Sequence, residues 1–453
     1  MKQVLYNYDV YPKVFLQNTT KAITVQPLGS HSGFAPEHTY TVRIFKVNQA
    51  NPHKYPERSG RSCLKVTPCD DGNLRFSAFF EGEGEHFINI YQEESDAKPY
   101  ITLSVYSLAE DMAGRIPQRG DLHMHTCRSD GREGPSTVVA NYRGHGYDFF
   151  TISDHNRYYP SLEAKKYFDG VTDFNIVQGE EVHLPLNDVH YVSFGSSYSI
   201  NALVTPSKNA EKAGDDLSWR STDGKAPDPM TKEEFEAMIR ERAKSIPLEN
   251  ESERLSFAVL EWIHAHVKAG GGLGIFPHPY WLCQMMQLPE DYTEYIYKEA
   301  PFDAFEVLGG ENYYQHNGFQ TGLYYEMKAK GIDRAVVGST DSHGSTEHNR
   351  NALICSTVVF TKKNEAPEII EAIKNKYSIA VDTISTEYRL VGDFRLMKYT
   401  SFLMENYFPI HDLACKAEGY YMNRYIAGDP RAKEVLKAMK GQIPEMQKKY
   451  FDL

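Results

Sequence analysis

The sequence lacks the features that assign a chain to a membrane, to export or to a nucleic acid. Its first residues contain no apolar core of a signal peptide, and no later window is long and apolar enough to span a bilayer. Basic residues are not in excess, because 61 acidic side chains outnumber 49 Lys and Arg and give a formal net charge of −12. We therefore expect a cytoplasmic chain that binds neither membranes nor nucleic acids.

Cysteine is scarce and scattered, with six residues in 453 and no CxxC pair. This distribution favours free thiols over a disulfide framework. Only Cys63 and Cys69 are close enough in sequence to raise the question of a disulfide or a zinc site. A G-x-S-x-G motif is also absent, so the sequence gives no support to the serine mechanism of α/β-hydrolases.

Residues 1–115 contain short runs of β-forming residues. In the runs 40–45, 74–80 and 86–91, aliphatic and aromatic side chains alternate or cluster between turns rich in Gly, Pro, Asn and Asp. This pattern predicts an N-terminal antiparallel β-sandwich, followed by a linker at 111–117.

From about residue 119 to 390, short apolar strands alternate with helices. Alternation of this kind predicts an α/β domain with a parallel sheet, and seven such units predict a barrel. We expect the strands to end at His125, Ser153, Glu181, Phe194, Phe276, Val307 and Ser339, and the helices to span 136–145, 252–269, 313–330 and 364–376.

Two segments depart from this alternation. The insertion at about 205–250 begins polar and then reads as an amphipathic helix over 232–240, capped by Thr231. An insertion of this length predicts either a lid over the active site or a solvent-exposed loop without a catalytic role. The segment 395–453 predicts a helical C-terminal extension, which packs on the barrel or serves formation of a homo-oligomer.

The stretch GDLHMHTCRSDG carries two histidines, His123 and His125, on a predicted strand. Residues two apart in a strand point to the same face, so the two imidazoles can bind one ion. A second H-x-H, His264 and His266, lies in a predicted helix, where positions two apart differ by about 200° and the rings diverge. We interpret the strand pair as ligands and the helical pair as structural.

Acidic and imidazole side chains recur at the ends of the later predicted strands. Active sites of βα barrels lie at the carboxyl ends of the strands, so these groups are expected to face one another. A single buried histidine there is more often a core residue, but six strand ends together favour a metal centre. The groups are Asp154 and His155, Glu180 and Glu181, His183 and His190, His278, and Asp341 and His343.

These motifs together resemble the PHP (polymerase and histidinol phosphatase) family. The resemblance covers about 119–385 and implies a distorted seven-stranded βα barrel with a hydrolytic centre of two or three metals. The N-terminal β-domain resembles the accessory domain of the carbaryl-hydrolase-like branch. The matching motifs are DLHMHT at 121–126, SDG at 129–131, SDH at 153–155, GEE at 179–181, VH at 189–190, PHP at 277–279 and DSH at 341–343.

For this sequence, the resemblance implies three metal positions. The first is held by His123, His125, Glu181 and Asp341. Glu181 bridges to the second, which His190 and His278 complete, and the third is held by Asp130, His155 and His343. Asp130 stands where some relatives have histidine, and this carboxylate leaves the identity of the metal open among Zn, Mn, Fe and Mg.

A cluster of divalent ions points to hydrolysis. Such ions lower the pKa of a bridging water, so that a hydroxide nucleophile exists at neutral pH, and they neutralise charge on the substrate. We expect a metal-dependent hydrolase of a small anionic phosphoester, since bound ions can invert the field of an acidic chain. One alternative is a carboxyl or carbamate ester hydrolase, which the β-domain resemblance favours. The other is a binding or regulatory module with a non-catalytic metal site.

Further residues near the motifs are candidates for roles in the reaction. Asp154 either orients an imidazole or caps the following turn. His183 shares the strand face of Glu181, so it is a candidate to contact the substrate or to protonate a leaving group. Substrate-binding candidates, each with a structural alternative as a surface ion pair or a core residue, are Arg157, Tyr280, Trp281, Asn312 and Arg350.

Overall fold

The chain divides into two compact units. In the computed structural model, the first unit comprises Met1–Ile116, Phe394–Ala414 and Gly441–Leu453, and the second comprises Pro117–Asp393 and Cys415–Lys440. The segment after residue 393 is thus shared between the units. The residues that the structure describes are 3–48, 62–94, 98–207, 220–283, 285–309, 314–346, 355–383 and 387–453.

The first unit is built from two β-sheets. Buried and exposed side chains alternate along Leu74–Phe80, and apolar residues of both sheets share one core, which makes the unit a sandwich. One sheet has the order Tyr8–Tyr11, Thr19–Pro27, Leu74–Phe80. The other has the order Phe451–Asp452, Val14–Leu16, Ile101–Leu108, Gly84–Tyr91, Tyr40–Lys46, Ser62–Val66.

The C-terminal segment contributes to the first unit. The helix Phe394–Asn406 packs on Tyr106, whose ring centroid lies 5.0 Å from that of Tyr399 and 5.3 Å from that of Phe402. The helix Gln442–Tyr450 leads into the final strand, which pairs in parallel with Val14–Leu16.

The second unit is a mixed α/β structure around a ten-stranded sheet. Its edges come together where Ser378 Oγ donates to the Val336 carbonyl (2.8 Å) and Gly338 N donates to Thr357 Oγ1 (2.9 Å). The sheet therefore closes nearly on itself. The strand order is Ala335–Gly338, Ala304–Leu308, Leu273–Phe276, Val192–Phe194, Asn175–Glu181, Phe149–Ile152, Ile116–Asp121, Cys355–Thr361, Ser378–Asp382, Arg389–Gly392.

Helices accompany this sheet, and short elements connect them. The helices are Pro135–Gly144, Tyr159–Tyr167, Lys232–Ala243, Glu251–Ala269, Glu290–Glu299, Tyr314–Ala329, Ala366–Lys374, Phe408–Ile426 and Ala432–Met439. The short strands are Val204–Thr205, Met230–Thr231, Leu282–Cys283 and Met285–Met286, and the 3-10 turn is Asn201–Leu203. Two further 3-10 turns, Gln3–Tyr6 and Glu110–Met112, belong to the first unit. None of the described helices is long and apolar enough to cross a membrane.

The α/β class is as predicted, but the sheet differs from a seven-stranded parallel one. Val192–Phe194 runs antiparallel to both of its neighbours. The connection 182–191 contains no helix and is shorter than the crossover that parallel strands need, so the chain reverses direction there. Three strands after residue 354 extend the sheet beyond the predicted set.

Several local predictions can be compared directly with the structure. The helix Lys232–Ala243 of the insertion begins with a capping box between Thr231 and Glu234, as expected, whereas 208–219 lie outside the described residues. His264 and His266 diverge on their helix: His264 Nδ1 lies 2.9 Å from the Tyr191 hydroxyl, and His266 packs on Trp262. Cys63 and Cys69 are free, exposed thiols.

Candidate metal centre

Two extended segments form the base of the site. The first strand ends at Asp121, four residues earlier than predicted, but Met124 still forms an isolated parallel bridge with Ser342. The buried Asp121 carboxylate accepts hydrogen bonds from His123 N (3.1 Å), Thr340 N (3.1 Å) and Thr340 Oγ1 (2.6 Å). Asp121 therefore holds the H-x-H segment against the segment that carries Asp341.

The four residues predicted for the first metal position converge. His123 Nε2 and His125 Nε2 lie 3.3 Å apart. Asp341 Oδ1 lies 3.2 Å from the former and 3.0 Å from the latter. Glu181 Oε2 lies 3.5 Å from His123 Nε2 and 3.4 Å from His125 Nε2. The ring nitrogens and carboxylate oxygens thus surround one small space.

The other oxygen of Glu181 faces the second predicted group. His190 Nδ1 lies 2.6 Å from Glu181 Oε1, and His278 Nε2 lies 3.9 Å from the same oxygen. His278 Nε2 is also 3.6 Å from Asp341 Oδ2. The Glu181 carboxylate therefore spans both groups, which is the geometry that a bridging ligand needs.

The third group lies beside the first and is partly exposed. Asp130 Oδ2 lies 3.4 Å from His155 Nε2 and 3.4 Å from His343 Nε2. His125 Nδ1 lies 3.9 Å from Asp130 Oδ1, so His125 borders both the first and the third group. His125 and Glu181 are fully buried, and the cluster is therefore accessible to solvent from the side of the third group.

The donor set fits divalent metal ions. Buried polar atoms are normally hydrogen-bonded, yet five here make no well-aligned hydrogen bond to a described residue, although His190 Nδ1 and Glu181 Oε1 lie only 2.6 Å apart. The five atoms are His125 Nδ1, His190 Nδ1, His278 Nε2, Glu181 Oε1 and Glu181 Oε2. Imidazole nitrogens and carboxylate oxygens are ligands of Zn, Mn and Fe, and such ions would satisfy these atoms.

The protonation states of several groups suit metal binding. Burial lowers the pKa of His278 to about 3 and that of His125 to about 4, so both rings are neutral at pH 7. Despite its burial, Glu181 has a pKa held well below the usual range by His190 and His155. Burial opposes the charge on His155 as well, but Glu181 and Asp130 raise its pKa to about 10. A cation entering the cluster would displace such protons.

The backbone is strained at two of the clustered residues. Asp341 has φ 47° and His278 has φ 26°, in the left-handed region that side-chain-bearing residues seldom adopt. Strain of this kind persists where the surroundings over-determine the conformation and is concentrated at functional sites. At both positions it aims a side chain into the cluster.

The neighbouring acidic and imidazole candidates have distinct partners. Asp154 accepts hydrogen bonds from Thr126 N (2.7 Å), Thr126 Oγ1 (2.5 Å) and Ser129 Oγ (2.5 Å), so it supports the loop after His125. Glu180 points away from the cluster and is bonded by Ser199, Ile200 and Asn201. His183 Nε2 lies 2.8 Å from His155 Nδ1, at the partly exposed side.

Of the described residues predicted to bind substrate, only Trp281 is shown beside the metal cluster. The Trp281 ring is half-buried, with its centroid 6.0 Å from that of His278 and 6.3 Å from that of His190. Tyr280 is buried in the apolar core, and Arg157 Nε donates to the Arg128 carbonyl (3.3 Å). Asn312 and Arg350 lie outside the described residues.

Two residues that contact the outer nitrogens of the ligand histidines were not predicted from the sequence. Glu306 Oε2 lies 3.0 Å from His123 Nδ1, and Gln287 Oε1 lies 3.0 Å from His278 Nδ1. Their signal in the sequence is weak, because a lone Glu within a buried strand and a Gln nine residues beyond a histidine belong to no motif.

Comparison with known proteins gives distant structural likenesses. No protein-family model and no curated protein matches the sequence. A two-domain protein containing a predicted PHP-like metal-dependent phosphoesterase, from Bacteroides vulgatus, is 16% identical over 64% of this chain and 70% of its own, with a TM-score of 0.40.

Two further solved structures are similar over 51% of this chain and 89% of their own. One, from Bifidobacterium adolescentis, is provisionally described as a metal-dependent phosphoesterase (18% identity, TM-score 0.33). The other is an amidohydrolase from Chromobacterium violaceum with bound sulfate and no metal (15% identity, TM-score 0.30). At these identities and TM-scores, the likenesses carry no conclusion about activity.

Proposed function

We propose that this chain is a metal-dependent hydrolase of a small anionic phosphoester, with two or three divalent ions held by the nine predicted ligands. One observation carries the proposal: buried imidazole nitrogens and carboxylate oxygens converge, and five of these atoms make no well-aligned hydrogen bond to a described residue. Without a bound cation, the buried carboxylates have only the neighbouring imidazoles to offset their charge.

The charge of the cluster favours a phosphoester over a neutral ester. Three carboxylates, Glu181, Asp341 and Asp130, face two or three divalent ions, so a centre with three ions would stay positive even with a bridging hydroxide, whereas one with two ions would be neutral. When bound, such ions supply a bridging hydroxide nucleophile at neutral pH and offset the negative charge of a phosphate.

Residues at the solvent-accessible side of the metal cluster would contact the substrate. His183 lies beside His155 and is partly exposed, which suits contact with the substrate or its leaving group. Trp281 borders the second group and would form a wall of the substrate pocket. The buried residues His123, His125 and Glu181 hold the ions and exclude water from the inner side.

The test is an assay of metal-reconstituted protein against p-nitrophenyl phosphate and p-nitrophenyl acetate. We expect turnover of the phosphate that is lost with a chelator and restored by Mn²⁺ or Zn²⁺. Turnover of the carboxyl ester alone would replace the phosphoesterase proposal with an esterase. Binding of metal without turnover of either substrate class would favour a binding module instead.

A further inference from the structure

Glu306 lies directly behind His123, on the side away from the metal cluster. It sits on the strand Ala304–Leu308 and is fully buried. Its Oε2 lies 3.0 Å from His123 Nδ1, while His123 Nε2 faces Asp341 and Glu181. The imidazole is thus held between an outer carboxylate and the inner ligand groups.

The backbone that carries Glu306 is held by the helix Tyr314–Ala329. Gln320 Nε2 donates to the Glu306 carbonyl (2.9 Å), and Asn317 bonds both Gly309 N (2.7 Å) and the Gly309 carbonyl (2.9 Å) at the strand end. A Cβ at Gly309 would lie 2.9 Å from His316 Nε2 and 3.4 Å from Glu306 Oε1. A glycine at position 309 therefore leaves room for the Glu306 carboxylate, whose Oε2 contacts His123.

Two other rings in the cluster are held in a similar way by neutral acceptors. His278 Nδ1 lies 3.0 Å from Gln287 Oε1, and His343 Nδ1 lies 3.0 Å from the Asp341 carbonyl. A hydrogen bond from Nδ1–H fixes the tautomer in which Nε2 is free to bind a metal. Of these three acceptors, Glu306 is the carboxyl group, and its ionised form would make a stronger bond to the ring than a neutral acceptor does.

We propose that Glu306 is a positioning residue for the first metal: it accepts the Nδ1–H of His123 and thereby aims an unprotonated, more basic Nε2 into the centre. The inference rests on the proposed function, because it needs the cluster to bind metal. Glu306 itself touches neither the metal positions nor the substrate.

The test compares Glu306→Ala and Glu306→Gln with the wild type and with Glu180→Gln. Glu180 is a matched control, since it is an equally buried carboxylate that points away from the cluster. The affinity for Zn²⁺ and Mn²⁺ is measured by competition with a chromophoric chelator, and the visible spectrum of the Co²⁺ form reports the ligand geometry. Circular dichroism establishes that each variant is folded.

We expect Glu306→Ala to weaken the binding of metal by roughly 10–100-fold and to alter the Co²⁺ spectrum. Glu306→Gln keeps an oxygen that accepts from Nδ1, so its loss should be smaller, about 3–10-fold. Glu180→Gln should bind as the wild type does.

Wild-type affinity and spectrum in Glu306→Ala would overturn this inference alone. If that variant does not fold, wild-type affinity in Glu306→Gln would overturn it equally. A wild-type chain that binds no metal would instead overturn the proposed function, and this inference with it.

Discussion

Two of the buried charge clusters among the described residues differ in how completely their charges are paired. In the first unit, the Asp9 cluster consists of Asp9, Lys13, Lys449 and Tyr450. Asp9 Oδ1 pairs with Lys13 Nζ (3.0 Å), and Oδ2 accepts from Lys449 Nζ (2.7 Å) and the Tyr450 hydroxyl (2.9 Å). In the metal cluster of the second unit, neither oxygen of Glu181 makes a well-aligned hydrogen bond to a described residue. The Glu181 carboxylate faces the imidazoles of His190 and His155 instead.

The contrast separates a structural ion pair from a binding site. In the Asp9 cluster, Lys13 is 1% exposed, yet its charge is offset within the protein, so the group needs nothing from outside. The metal cluster instead pairs its carboxylates with imidazoles, whose protons a divalent cation can displace. Burial of charge is therefore no indication of function by itself, whereas the pairing of buried carboxylates with imidazoles is.

The largest effect is expected on catalysis, from Glu181→Gln. Removing the carboxylate that spans the first two ligand groups should lower phosphoester turnover by roughly 10²–10³-fold, as for other single charge-stabilising groups. The metal-free stability at neutral pH should fall as well, because His190 and His155 hold the pKa of Glu181 low and its carboxylate is therefore stabilised in the folded state. Turnover and thermal unfolding of Glu181→Gln and Glu180→Gln check this, and full activity in Glu181→Gln would contradict the assignment.

The opposite outcome is expected for Asp9→Ala. This change strands the buried Lys13 ammonium and should lower the free energy of unfolding by about 3–5 kcal/mol, with turnover per folded molecule unchanged. Denaturant titration measures the loss. The double variant Asp9→Leu with Lys13→Met is the control and should recover most of the stability. Wild-type stability in Asp9→Ala would mean that the Asp9 cluster does not contribute to the stability of the fold.

Metal should stabilise the protein through the second cluster only. At a free Zn²⁺ or Mn²⁺ concentration of 100 times Kd, we expect a gain of about 2.7 kcal/mol. Thermal unfolding with and without a chelator measures it. The gain should persist in Asp9→Ala and be largely lost in Glu181→Gln. An equal gain in Glu181→Gln would place the ion elsewhere.

The smallest effect concerns pH and the Asp9 cluster. Burial would raise the pKa of Asp9, but Lys13 and Lys449 hold it below its ordinary value of 3.8. Because the folded state then binds this proton more weakly than the unfolded state, the stabilisation is complete above pH 3.8 and is lost as the pH falls further. The difference in unfolding free energy between wild type and Asp9→Asn should therefore shrink on acidification. A difference in unfolding free energy that stays constant with pH would contradict a lowered pKa of Asp9.

The sequence predicted local patterns well and distant partnerships poorly. The predicted local element distinguished His123 and His125 from His264 and His266, which have the same spacing, because side-chain direction differs between a strand and a helix. The strand Val192–Phe194 was predicted, but its antiparallel direction was missed, because strand direction depends on the path of the connection.

The supporting contacts could not be predicted either, since they join residues far apart in sequence. Glu306 meets His123 across 183 positions, and Lys449 meets Asp9 across 440. Neither pair has a motif, and the contacts exist only once the sheets have formed.

The most direct test of the central claim is to count the ions in the cluster. Crystals grown with Mn²⁺ or Zn²⁺ and measured at the absorption edge of the metal would give one anomalous peak per ion. We predict two or three peaks, with Glu181 between the first two and Asp130 beside the third. Fewer than two peaks in metal-replete crystals would contradict the proposed centre.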